Sequence, residues 1–326
     1  MSRASALKGS AAAVLGRRDL LKAAAAALLA SRPIVALADD ARTKAKKNVT
    51  LGIHAFVYSK LPVREAAARI KAAGLSSVLT DFCFADTRFD PLAPDWQAVK
   101  TVRQAFDEHG IHIAAVEGYA NITAPNDEKR KRNLARIEAL LVNWKRLGCA
   151  NVSTESGTLS THGDWDGAPE NATEAGYQKC RAAVEQLVRQ AEKSGAVLSI
   201  EPYWPNVIGT IERAARLFRD VPSPSLKLVM DPSNYFSPDN ISHMRPMLED
   251  MFRQLGARIA VAHAHDVRAV QHGDDSPAAG QGLLDYPLFL RLLGQLDRPI
   301  DLLLEHLTEA EVPRTRDFVL AQFAKI

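Results

Sequence analysis

The chain has 326 residues, 47% hydrophobic, 24% charged and 6% aromatic, a globular mix that excludes disorder, collagen-like repeats and a disulfide-dense mini-protein. Three widely spaced cysteines, Cys83, Cys149 and Cys180, with no C-x-x-C pair, give no disulfide framework and no cysteine zinc site. The formal charge of +3 arises in the first 38 residues, which carry six basic residues and one acid. The remaining 35 bases and 37 acids exert no general pull on phosphate backbones, so nucleic acid is not an expected partner.

The first segment in chain order is an address. Gly16-Arg17-Arg18-Asp19-Leu20-Leu21-Lys22 resembles the twin-arginine export motif. An apolar run from Ala23 to Ala30 follows, and Ala36-Leu37-Ala38 before Asp39 forms a small-x-small cleavage pattern. The run is too short to span a bilayer as a permanent anchor. Residues 1–38 are therefore expected to be a removed signal, with a short segment over 39–48 and one domain over 49–326. The expected location is the periplasm, and no membrane span is expected.

Strands are expected at Val49–Ala55, Ser76–Phe82, His112–Glu117, Asn151–Glu155, Val197–Glu201, Lys227–Asp231, Arg258–His263 and Pro299–Glu305. Helical spacing predicts helices over Val63–Ala73, Asp95–His109, Asp127–Leu147, Thr173–Ser194, Ile211–Arg219 and Arg245–Leu255. Gly74, Gly110, Gly148, Gly195 and Gly256 stand at helix ends, where a left-handed cap favours glycine. Strands alternating with helices imply right-handed βαβ units and a parallel sheet. Eight such units in about 280 residues match a single (β/α)8 TIM barrel. A doubly wound open sheet is the alternative, but no G-x-G-x-x-G or phosphate loop follows the first strand.

In such a barrel the active site is built at the C-terminal strand ends. The fifth to eighth strands end in Glu201-Pro202, Asp231-Pro232-Ser233-Asn234, His263-Ala264-His265-Asp266 and Glu305-His306. Ionised groups closing four consecutive apolar runs need compensation, and a divalent cation supplies it. Two Glu, one Asp and one His make an oxygen-rich set suited to Mn, Mg, Co or Zn. Strand-end caps and surface ion pairs are the plainer reading of each residue taken singly.

These strand ends resemble those of the xylose-isomerase-like barrel superfamily of sugar phosphate isomerases and epimerases, over about residues 49–310. Gly280-Gln281-Gly282-Leu283-Leu284-Asp285-Tyr286 is similar to the family's G-x-G-x-[LIV]-D-[YF] stretch, expected to lead into the last helix. The resemblance implies that Glu201, Asp231, His263 and Glu305 hold one divalent metal. It further implies that Glu201 and Glu305 double as acid and base, one on each side of a sugar. The chain departs from the family at Asn234, where many members carry His, and at His265, where the motif carries Lys or Asn.

Further substrate-binding candidates are His54, Glu117, Glu155, Tyr203, Asn234, His265 and Arg268. Each has a plainer reading as a packed, paired or solvated side chain; His265, for instance, either touches substrate or packs beside Asp266. The aromatic rings of Trp204 and Tyr235 are read likewise, as sugar platforms or loop packing, and Asp81 is left open. The expected function is metal-dependent sugar isomerisation or epimerisation through an enediolate, on a small carbohydrate without phosphate. The alternatives are β-elimination from a keto-sugar or keto-inositol and a non-catalytic carbohydrate-binding barrel. Whether the chain forms a homo-oligomer is left open.

Overall fold

A computed structural model describes residues 39–269 and 276–326. The expected export signal at 1–38 lies outside the described residues. Eight strands, β1 (Val49–His54), β2 (Ser77–Thr80), β3 (His112–Glu117), β4 (Asn151–Glu155), β5 (Val197–Glu201), β6 (Leu226–Met230), β7 (Ile259–Ala264) and β8 (Ile300–Leu304), close into one parallel barrel in sequence order. Closure is complete because β1 pairs with β8 over five residues as well as with β2. The fold is thus the expected (β/α)8 barrel and not the open sheet.

The outer ring is α1 (Val63–Ala72), α2 (Trp96–Glu108), α3 (Asp127–Val142), α4 (Glu174–Ser194), α5 (Ile211–Asp220), α6 (Met244–Leu255), α7 (Tyr286–Gly294) and α8 (Val312–Gln322). Each buries an apolar stripe against the strands, such as Val99, Val102, Ala105 and Phe106 of α2. Several starts carry side-chain caps: Asp95, Asn126, Thr173, Thr210 and Asp285 each accept a backbone N–H from the first turn. No helix among the described residues is long and apolar enough to cross a membrane.

Several expected boundaries shift for local reasons. The long helix expected over 127–147 breaks at Asn143, whose side-chain amide turns back to donate to the Ala139 carbonyl at 2.8 Å. Gly74, Gly110, Gly148 and Gly195 adopt positive φ as expected. Gly256 does not: its φ is −51°, and the chain runs from α6 into a short 3₁₀ turn. The glycine-rich segment at 280–286 leads into α7, which is followed by β8 and the terminal α8, so it does not precede the last helix. The segment at 39–48 is helical. Its Ala45 is fully buried against Gly294, and the Asn48 amide donates to the Gly294 and Leu296 carbonyls at 3.0 Å each.

The barrel interior is filled by Leu79, Ala115, Val229, Val261 and Leu303, from five different strands and fully buried. Strand side chains alternate faces, so residues two positions further on share the inward face. Those residues are Asp81, Glu117, Asp231, His263 and Glu305. One layer of apolar side chains therefore forms the floor, and the next layer up is ionisable.

Candidate metal centre

Four of the expected residues converge at this mouth. Glu201, Asp231, His263 and Glu305 each offer one ligand atom, and these atoms all lie within 4.8 Å of one another. Glu201 closes β5, His263 lies in β7, and Asp231 and Glu305 immediately follow β6 and β8. Asp231 ends its strand by accepting the Ser233 N–H at 3.0 Å, a local turn that removes it from the ladder. The first three are 3%, 0% and 2% exposed.

The electrostatics follow from burial of many charges in a small volume. Glu155 and Glu201 are direct neighbours in the β4–β5 register. Burial, then the Glu201 charge, hold the Glu155 carboxyl well above the usual carboxylate range. Burial likewise raises Asp231, against the opposing pull of His265. Burial opposes charging of His263, but the carboxylates of Glu305 and Glu201 outweigh it and lift the imidazole well above its ordinary value. Burial alone would raise Glu305; His263 and the neighbouring imidazoles instead hold it well below the usual range.

A divalent cation fits this donor set. The His263 Nδ1 lies 3.3 Å from Glu201 Oε1 and 3.1 Å from Glu305 Oε2, yet neither approach has hydrogen-bond geometry. Both ring nitrogens of His263 and Asp231 Oδ2 are buried without hydrogen-bond partners. Buried polar atoms left in this state are costly unless something else satisfies them. Metal–ligand bonds of about 2.0–2.2 Å separate opposite ligands by roughly 4 Å, which the cluster's dimensions accommodate.

Neighbouring groups hold the carboxylates in place. Asn234 donates to Glu201 Oε1 at 2.9 Å, and the Tyr119 hydroxyl donates to Glu201 Oε2. The departure at Asn234 therefore orients a candidate ligand while still facing the cavity. Asp266 organises the loop beyond β7, accepting the Gly280 N–H at 2.9 Å on one oxygen and the Leu284 N–H at 2.8 Å on the other. The glycines of that motif have a physical reason: a side chain at Gly282 would collide with the Asp266 carboxylate and the Val267 carbonyl, and Gly280 has a φ of 88°.

Above the cluster opens a cavity of about 440 Å³. Its lining includes the expected His54, Glu117, Glu155, Tyr203 and Asn234, with Glu201 and Glu305 at its base. His54 Nε2 and Glu117 Oε2 share a 2.8 Å hydrogen bond, and Asn206 donates to Glu155. Burial opposes charging of His54, but the bond and charge of Glu117 raise its pKa overall. His265 lies below this lining, fully buried between Asp231 and Asp266. Arg268 is half-buried in the loop after β7 and is not among the lining residues; Tyr235 is buried. Asp81 lines a separate cleft and accepts the Cys83 N–H at 2.9 Å.

Sequence reasoning missed Tyr119, Phe56, Trp165 and Leu307 and gave His306 no role, although all line the cavity. Tyr119 lies two residues beyond Glu117, and His306 follows Glu305; position next to a strand-end carboxylate was the available signal. Phe56 sits in a 3₁₀ turn over Ala55–Tyr58 and Trp165 in the loop after β4; local pattern specifies the course of neither, and both remain exposed.

The closed parallel barrel, with an acidic and imidazole cluster at the C-terminal strand ends, defines a (β/α)8 protein whose mouth carries a candidate cation site. The chain belongs to the xylose isomerase-like TIM barrel family, whose profile matches residues 55–319. No curated protein matches the chain. Among solved structures it is similar to L-ribulose 3-epimerase, with 16% identity, a TM-score of 0.62, and coverage of 85% of this chain and 95% of that one. It is also similar to 3-keto-D-glucoside 4-epimerase from E. coli, with 17% identity, a TM-score of 0.58, and coverage of 86% and 99%. A xylose isomerase-like TIM barrel protein from Mycobacterium smegmatis in complex with magnesium gives 16% identity, a TM-score of 0.60, and coverage of 85% and 97%. At these identities the likeness is one of fold.

Proposed function

We propose that this protein is a divalent-metal-dependent sugar isomerase or epimerase. The observation that carries the reading is the convergence of Glu201, Asp231, His263 and Glu305, with orphaned buried atoms, at the base of a cavity open to solvent. The epimerase names among the similar structures and the magnesium complex support it. A bound divalent ion would polarise a substrate carbonyl and stabilise charge on the adjacent oxygen as a neighbouring C–H loses its proton.

The protein's own groups do the rest. Glu201 and Glu305 line the cavity from β5 and β8, on either side of His263, and take and return the proton at carbon. Tyr119 and Asn234 keep the Glu201 carboxylate from rotating away. The His54–Glu117 pair binds a sugar hydroxyl, and Glu155, whose carboxyl burial and the Glu201 charge push well above the usual range, faces a substrate oxygen from the cavity wall. Among the described residues lining the cavity none is Lys or Arg, while four are carboxylates. A phosphate dianion would meet no cationic side chain among these lining residues, so the substrate is an unphosphorylated sugar or keto-sugar.

One observation favours β-elimination as the second reading. The raised His54 supplies an acid at the cavity wall that could protonate a departing oxygen. Export to the periplasm is part of the proposal, carried by Arg17-Arg18 and the apolar run that follows.

The test is metal analysis of the purified protein together with NMR of a sugar and keto-sugar panel in D₂O. Deuterium entering one carbon with retention of all hydroxyls supports epimerisation or isomerisation; loss of a hydroxyl or alkoxy group supports elimination. Sugar binding without exchange, unchanged in Glu201→Gln and Glu305→Gln, would leave only a binding barrel.

A further inference from the structure

We infer that the mouth of the barrel holds a second cation site, formed by His265, His306 and Glu305 and bridged to the first through the two oxygens of Glu305. The inference rests on the four-ligand reading of the first site and extends it to residues outside that set. One ligand atom from each of the three lies within 4.8 Å of the others.

The Glu305 carboxylate faces two different imidazole groups. Its Oε2 is 3.1 Å from His263 Nδ1, on the side of the first site. Its Oε1 is 3.7 Å from His265 Nε2 and also 3.7 Å from His306 Nε2. Neither of these longer separations is a hydrogen bond, but both suit adjacent ligands on one ion, whose bonds are roughly 2.0–2.2 Å. The His265 and His306 rings lie 4.5 Å apart, so the two imidazoles stand side by side.

His265 carries the hallmarks of a ligand. It is 2% exposed, and its Nδ1 lies 3.0 Å from the Asp266 carbonyl, a group that only accepts. Nδ1 therefore carries a proton, and Nε2 is the nitrogen left to bind. Metal-binding histidines commonly donate their other nitrogen to a carbonyl in this way. Nε2 is buried without a hydrogen-bond partner although Asp231 Oδ2 is 2.8 Å away. Its backbone is pinned as well: the Tyr286 hydroxyl and Ser233 Oγ both donate to the His265 carbonyl, at 2.8 and 3.0 Å. His306 reaches the site from the end of the neighbouring β8, on a backbone with a φ of 52°, in the left-handed region that non-glycine residues seldom occupy. With two imidazoles and one carboxylate this site is softer than its neighbour, and it suits Zn²⁺ or Co²⁺ better than Mg²⁺.

The test is titration of the metal-free full chain with Co²⁺, counting bound ions by equilibrium dialysis and following the visible absorption bands. Two equivalents are expected for the wild type and one for His306→Gly. Glycine takes positive φ readily, so this variant removes the imidazole without strain. His306→Asn, which tolerates the same backbone, gives a second measure and is expected to weaken the second equivalent at least tenfold. One equivalent in the wild type, or two in His306→Gly, overturns the second site and leaves the first standing. No bound Co²⁺ at all overturns both.

Discussion

The two ends of the barrel treat charged groups and amides differently, although Ser77 Oγ at the start of β2 is also buried without a hydrogen-bond partner. At the base, where the strands begin, charges and amides find partners at once. Arg298 donates to the Gly256 and Ile259 carbonyls at 2.8 and 2.9 Å, Asn48 donates to two carbonyls, and His112 and Asp301 share a 2.9 Å contact at the edge of solvent. At the mouth, Asp231, His263 and His265 are buried more deeply than any of these and still hold atoms without hydrogen-bond partners. The base is arranged for stability, whereas the mouth gathers buried carboxylates and imidazoles of opposite charge whose hydrogen-bonding capacity is not used up. Functional sites in this architecture sit at the mouth because its loops vary without disturbing the base.

The largest effect expected from this contrast is at the mouth. Glu305→Gln should lower kcat by about 10³-fold or more, because the residue is both ligand and proton carrier in the proposed reaction. Steady-state rates on the substrate found by deuterium exchange check this; a loss below tenfold would place the chemistry elsewhere. Next in size is the ion's contribution to stability. At a free concentration of about 100 times Kd, an ion bound only by the folded state stabilises it by about 2.7 kcal/mol. Chelation should therefore lower the Tm of the wild type and leave that of Asp231→Asn almost unmoved.

The base should respond in stability alone. Asn48→Ala removes two partly buried amide hydrogen bonds and should cost about 1–2 kcal/mol in denaturant unfolding, with kcat and KM unchanged. A matching fall in kcat would break the division between the two ends. The smallest effect is a pH dependence at His112. The hydrogen bond to Asp301, opposed by partial burial, raises its pKa above the ordinary 6.5. The protonated pair therefore adds stability in full below about pH 6.5 and loses it as pH rises through the folded value. His112 is more than half exposed, so the gain is about 0.5 kcal/mol at most. The stability gap between wild type and His112→Asn should be present at pH 5.5 and close by pH 9.

Much of this architecture is legible in the chain itself. β3, β4 and β5 lie at the expected residues, and the other five strands are centred within the expected ranges, because short apolar runs punctuated by glycine and polar residues are local signals. The strand-end residues Glu201, Asp231, His263 and Glu305 were legible for the same reason: each closes such a run. Tyr119, Phe56 and Trp165 were not, since their approach to the cavity depends on the path of the connections that follow the strands.

The order of elements, the barrel class and the charged strand ends follow from local pattern, because helix and strand periodicity is written within a few residues. Only the pairing of β5 through β8 side by side in the curved barrel wall decides that Glu201, His263 and Glu305 meet within 3.3 Å, since these residues are up to about a hundred positions apart. Tertiary structure alone also decides that Asn234 grips Glu201, that Arg268 stands outside the cavity lining, and that His265 aims its free nitrogen toward Asp231 and Glu305. Side-chain direction in a packed interior is set by neighbours from distant parts of the chain, and no local periodicity encodes it.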